Sequence, residues 1–99
     1  MAEFHLTNKA VEDLSAIWNY TFDTWSENQA DKYYAFLLNC CQTIADNPSL
    51  GRKYNKVLKE LLGYKAGRHI IFYRIISANE IEVIRILHER MDLKRRIKD

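Results

Sequence analysis

Gly67-Arg68-His69-Ile70-Ile71-Phe72-Tyr73-Arg74 and, a short gap later, Ile84-Arg85-Ile86-Leu87-His88-Glu89-Arg90-Met91-Asp92 decide the fold. Both runs are apolar and β-branched, and Ser77-Ala78-Asn79 between them is turn-forming, so they read as two strands of a hairpin. Arginine and histidine sit at or near the ends of each run, which places cationic and titratable groups at the rim of a sheet. Upstream, Glu60 to Lys65 is a third strand, joined to Arg68–Ser77 by a tight turn at Ala66-Gly67. Ala78-Asn79 then leads into Glu80–Leu87.

The first half of the chain has a different period. Phe4-His5-Leu6 is short and extended and ends at Thr7, a good helix N-cap, with Glu12 and Asp13 favouring the positive end of the helix dipole. From Asn8 onward Ala10, Leu14, Ile17 and Thr21 form one stripe, and Val11, Trp18, Phe22 and Trp25 form a second beside it. Together they are wider than one core face needs. Ser26 restarts the pattern as an N-cap, with Gln29 at the capping-box spacing. The helix after it carries Ala30, Tyr33, Tyr34, Leu37, Leu38, Cys41, Ile44 and Ala45, and stops at Asn47-Pro48 because proline cannot continue it. Two helices with almost no linker form an antiparallel hairpin.

Pro48 to Lys59 reads as a loop in which Gly51 takes a left-handed turn and Val57 and Leu58 hold the segment down. Arg90 to Lys98 is amphipathic, with Met91, Leu93 and Ile97 against Arg90, Lys94, Arg95 and Arg96. The fold class is therefore α+β: β-α-α-β-β-β, a helical hairpin on one face of a small, mostly antiparallel sheet, with a short C-terminal tail or helix. The Phe4 strand is expected to pair with the last or the central strand. Ninety-nine residues make a single domain, 1–99.

Charge is unevenly divided. Residues 1–50 hold two basic and seven acidic side chains, whereas residues 51–99 hold thirteen basic and six acidic. Between Gly51 and Arg74 seven cations face one acid, Glu60. A split of that kind points to an anionic partner surface for the second half. No apolar run approaches the roughly 20 residues of a membrane span, and Glu3, His5 and Asn8 interrupt any signal-peptide pattern. A cytoplasmic location and no membrane partner are expected. Cys40 and Cys41 are adjacent in a helical stretch and read as small core hydrophobes. Three scattered glycines make no phosphate loop, and no element carries ligands at metal-site spacing, so neither a cofactor nor a metal is expected.

Arg85-Ile86-Leu87-His88-Glu89-Arg90-Met91-Asp92, together with Gly51-Arg52 after Asn47-Pro48, resembles the ParE branch of the RelE/ParE toxins over essentially the whole chain. The resemblance implies a plasmid-stabilisation type toxin of a toxin–antitoxin pair, which causes growth arrest by inhibiting DNA gyrase without a reaction of its own. It also implies neutralisation by a cognate, ParD-like antitoxin, and no stable nucleic-acid binding by the toxin alone. An alternative is a RelE-like, metal-independent endoribonuclease acting on ribosome-bound mRNA, with Arg68, Arg85 and His88 as its catalytic set. Ribonuclease members often end the last strand in tyrosine; here Glu89 follows His88, and no tyrosine occurs after Tyr73. A third reading is an inactive member that only binds the antitoxin.

The candidates for target inhibition are Arg68, Arg85, His88 and Arg90, with Arg68 and Arg85 expected to be dispensable for folding. The candidates for antitoxin binding are Trp18, Phe22, Trp25, Tyr33 and Tyr34, aromatic surface beyond what one sheet face can cover.

Overall fold

A computed structural model describes residues 2–91 and 93–98. Asp92 and the side chains of Leu93 and Lys94, which the reading of the tail used, lie outside the described residues. The elements are β1 (Glu3–Leu6), α1 (Asn8–Thr24), α2 (Glu27–Asp46), β2 (Arg52–Lys53), β3 (Leu62–Ala66), β4 (His69–Ser77), β5 (Glu80–His88) and α3 (Leu93–Lys98). A single 3-10 turn, Pro48–Leu50, follows α2.

Both helix starts follow from their caps. The Thr7 hydroxyl accepts from the Ala10 N–H at 3.1 Å, and the Ser26 hydroxyl accepts from the Gln29 N–H at 3.1 Å. Each satisfies a donor that the first turn leaves without a backbone partner. The stripe of α1 assigned to the core does turn inward, with Ala10 and Leu14 buried and Ile17 and Thr21 half-buried. Ala30, Leu37, Cys41, Ile44 and Ala45 are the buried residues of α2. Burial pushes the Cys41 thiol up to about 12, so it stays protonated and behaves as an apolar filler.

The five strands run in the order β1-β5-β4-β3-β2. β1 pairs in parallel with β5, the last strand, and every other pair is antiparallel. The turn between β3 and β4 is centred on Gly67, whose φ of +62° an L side chain rarely adopts. β3 starts at Leu62, later than expected, because Glu60 turns the chain with φ +63° and its N–H is held by the Asn55 side chain at 3.2 Å.

The segment expected to be an unbroken loop contains β2, which pairs Arg52 with Gly63 and Lys53 with Leu62. Gly51 is not left-handed; its φ is −75°. Glycine is required there by closeness, since an added Cβ would run into the ring and hydroxyl of Tyr73. That buried hydroxyl donates to the Pro48 carbonyl at 2.6 Å and accepts from the Gly51 N–H at 2.9 Å, fastening the end of α2 to the sheet.

Two cores lie on opposite faces of the sheet. Ile71, Tyr73, Ile81, Val83 and Ile86 pack under the helices with Leu14, Leu37 and Ile44. Ile70, Phe72 and Leu87 pack on the other side with Leu61, covered by Tyr54, Val57, Leu58 and Ile97. Ile70 to Tyr73 are buried without a break for this reason, and the strand lacks the alternation of a one-sided sheet.

Pairing of β1 with β5 ends at Leu6 opposite Val83, and α1 takes over the rest of that strand edge. The Thr7 hydroxyl donates to the Ile84 carbonyl at 2.7 Å, and the Asp13 carboxylate accepts from the Ile86 N–H at 3.0 Å. Asp13 thus supplies an acceptor where no neighbouring strand does.

Candidate functional site: the hairpin rim and the aromatic face

At the end of the sheet marked by Gly67, the register places His69 directly opposite His88. Their rings meet edge to face with centroids 5.4 Å apart. Tyr33 reaches over from α2, and its hydroxyl lies 2.6 Å from His69 Nδ1, sharing a hydrogen bond with it. The same oxygen accepts from the Arg68 N–H at 3.3 Å. The Arg68 carbonyl accepts from the Glu89 N–H at 3.0 Å, closing the rim backbone to backbone. His88 Nδ1 accepts from the Arg90 N–H at 3.2 Å, which leaves the proton of the neutral ring on Nε2. The fold thus gathers Arg68, His88 and Arg90 at one rim, with Arg68 and Arg90 exposed.

Three residues of this rim carried no functional role in the sequence reading or a different one. Tyr33, taken there as antitoxin-binding surface, is turned onto the sheet and packs on Phe36 and His69. Glu89, which the sequence shows only as the residue after His88, is ion-paired with Lys65 at 3.3 Å, and that lysine holds its carboxyl below the usual range. His69 is the most displaced titratable group here. Burial, then the neighbouring His88, lowers it from 6.5 to about 4. Burial likewise raises the Tyr33 phenol, so this contact joins two neutral groups at neutral pH.

The His69 shift has a measurable consequence. The folded chain takes up that proton less readily than the unfolded one, so nothing is lost above about pH 6.5. As pH falls from there toward 4, the unfolded state is protonated first and stability drops. Urea midpoints between pH 7 and 5 should fall more steeply in the natural chain than in His69→Gln, which cannot titrate; equal slopes would contradict this assignment.

Arg85 is placed differently from the other candidates. Its guanidinium grips Asp13 with two bonds, Nε to Oδ2 at 2.8 Å and an Nη to Oδ1 at 2.9 Å, and a third donor meets the Arg96 carbonyl at 2.8 Å. The two side chains are only 12% and 14% exposed. This is a fork-on-carboxylate bridge joining β5 to α1 and α3, and the expectation that Arg85 is dispensable for folding does not fit it.

The second stripe of α1 is laid bare. Phe22 is 45% and Trp25 74% exposed, while Trp18 is half-buried. Trp18 stacks on Phe22 with centroids 5.2 Å apart, and its indole N–H donates to Asp31 of α2 at 3.0 Å. Val11 on the same stripe and Tyr34 and Phe36 on α2 are exposed too. Phe36 was missed by the sequence reading because it lies off the inward stripe of its helix. These side chains give the helical hairpin an apolar surface of the kind that marks partner sites.

A sequence profile described as "ParE toxin of type II toxin-antitoxin system, parDE" matches residues 4–93. The chain belongs to the ParE toxin family. It is 33% identical over 96 residues to a protein named Toxin ParE1 from Mycobacterium tuberculosis, covering 97% of this chain and 98% of that one. It is 30% identical to Toxin ParE1 of Caulobacter vibrioides, covering 95% and 96%. A solved structure described as "Chromosomal ParDE TA system from P. aeruginosa" superposes with a TM-score of 0.76 at 18% identity, covering 89% of this chain and 96% of that one. At that identity the likeness bears on the fold, which agrees with the strand, helical hairpin and sheet described above. No helix among the described residues is long and apolar enough to cross a membrane.

Proposed function

We propose that this chain is a toxin that arrests growth by inhibiting DNA gyrase and is held harmless by a cognate, ParD-like antitoxin. The observation that carries the reading is the family match from residue 4 to residue 93, supported by relatives named as ParE toxins. The structure supports a division of labour between two surfaces. The cationic rim of Arg68, His88 and Arg90 faces the target. The aromatic face of Phe22, Trp25 and Tyr34 takes the antitoxin, with Trp18 beneath it as a support. Inhibition of this kind asks the chain to bind and hold, with no bond made or broken by its own side chains.

The test is induced expression in bacteria. Growth should stop, and co-expression of the small protein encoded next to this gene should restore it. Arg68→Ala should lose the arrest at equal expression and with an unchanged melting temperature, because Arg68 is exposed in a turn. Full arrest by Arg68→Ala would remove this residue from the target surface.

One observation favours a second reading, metal-independent cleavage of mRNA. Tyr33, His69 and His88 bring a phenol and two imidazoles to the rim beside Arg68. Those groups are of the type general acid–base cleavage uses. Two contacts weigh against it: the Tyr33 hydroxyl occupies Nδ1 of His69, and the Arg90 N–H occupies Nδ1 of His88.

A further inference from the structure

Phe4 and Leu6 of β1 pack into the helix-side core, so Glu3 and His5 project from the opposite face of the sheet. On β5, Ile81 and Val83 enter the same core, which puts Glu80 on the face shared by Glu3 and His5. The register sets Glu3 directly opposite Glu80. Two like charges facing each other across a strand pair destabilise it unless a cation sits between them. The His5 ring stands beside both, with Nε2 2.8 Å from a Glu80 oxygen and 4.0 Å from a Glu3 oxygen. One ligand atom from each of the three residues lies within 4.8 Å of the other two.

We propose that Glu3, His5 and Glu80 bind a borderline divalent transition-metal ion, of which Zn²⁺ is the natural probe, and that the ion clasps β1 to β5. The donor set argues for that class of ion. An imidazole nitrogen with two carboxylates suits zinc, which takes N and O ligands at about 2.0–2.2 Å. Calcium takes six to eight oxygens, and magnesium prefers octahedral oxygen. Closing the triangle needs only rotation of exposed side chains, since Glu3 is 67% and His5 50% exposed. That exposure leaves a coordination position open to water and implies modest affinity. Two ligands come from the first strand and one from the last, so occupancy fastens an edge strand whose pairing spans only Glu3 to Leu6. The sequence could not suggest this site, because His5 and Glu80 are brought together only by the parallel β1–β5 pairing.

Calorimetric titration of the tag-free chain with zinc chloride tests it, read alongside the thermal midpoint and the His5 ring resonances in NMR. One zinc should bind per chain, shift the His5 resonances and raise the midpoint, whereas magnesium at the same concentration should do neither. His5→Ala should weaken binding at least tenfold and Glu80→Gln by a similar factor, both remaining folded because these side chains are at the surface. Equal affinity in His5→Ala would overturn the proposal by placing the zinc elsewhere. An absence of zinc binding to the natural chain would overturn it too.

Discussion

Asp13→Ala is expected to cost about 3 kcal/mol or more of folding stability, enough to unfold much of the population of a small domain at 37 °C. Two losses combine. The Arg85 guanidinium keeps its position with its charge largely out of water and its carboxylate gone. The Ile86 N–H loses its acceptor on a strand edge that β1 no longer covers. Arg85→Ala should cost a similar amount, because it leaves Asp13 as the uncompensated charge. Arg85→Lys should recover only part of it, since an ammonium cannot make the two parallel bonds of the fork. Urea unfolding of the four proteins decides the matter: unfolding free energies within about half a kcal/mol of the natural chain would show that the bridge is ornamental. This prediction also changes how a loss of toxicity in an Arg85 variant is read. Such a loss would follow from unfolding and would say nothing about the target.

The second large effect is expected at Trp25. Its indole is 74% exposed and no hydrogen bond anchors it among the described residues, so removing it should leave stability nearly unchanged. A partner helix or strand laid along the Phe22–Trp25 stripe would bury it, and buried tryptophans dominate the energy of such contacts. Trp25→Ala should therefore weaken antitoxin binding by about 2 kcal/mol, roughly thirtyfold, with growth arrest retained. Trp18 is the poorer probe. It stacks on Phe22 and bonds to Asp31, so its loss would loosen the helical hairpin itself. Tryptophan fluorescence unchanged on adding antitoxin, with full affinity in Trp25→Ala, would put the antitoxin on another surface.

The fold was legible where local rules govern it. Thr7 and Ser26 announce the helix starts and Asn47-Pro48 the stop, and the three long strands stand out as apolar runs between turns. β2 was not legible, because two exposed residues carry no pattern of their own and form a strand only against β3. Gly51 was misread for a related reason: glycine is needed there because Tyr73, 22 positions later, stands where a Cβ would go.

The site was legible in composition but not in pairing. Arginines and histidines at strand ends locate the rim. The opposition of His69 and His88 could have been counted outward from the Ala78-Asn79 turn. Each strand carries one register shift, and the two cancel. The Asp13–Arg85 bridge had no such signal. Its partners are 72 positions apart, and only the short reach of β1 makes room for α1 against that edge. Tyr33 at the rim was hidden in the same way, since helix periodicity shows which face is apolar and not which side chain crosses to the sheet.

The proposed function asks this chain to hold gyrase without any chemistry of its own. The most direct measurement is supercoiling of relaxed plasmid by purified gyrase, titrated with the purified chain, in parallel with mRNA integrity on translating ribosomes. Supercoiling should be inhibited, restored by antitoxin and spared by Arg68→Ala, while the mRNA stays whole. Normal supercoiling together with mRNA cut at codons would contradict the claim and make the tyrosine and histidines of the rim a ribonuclease centre.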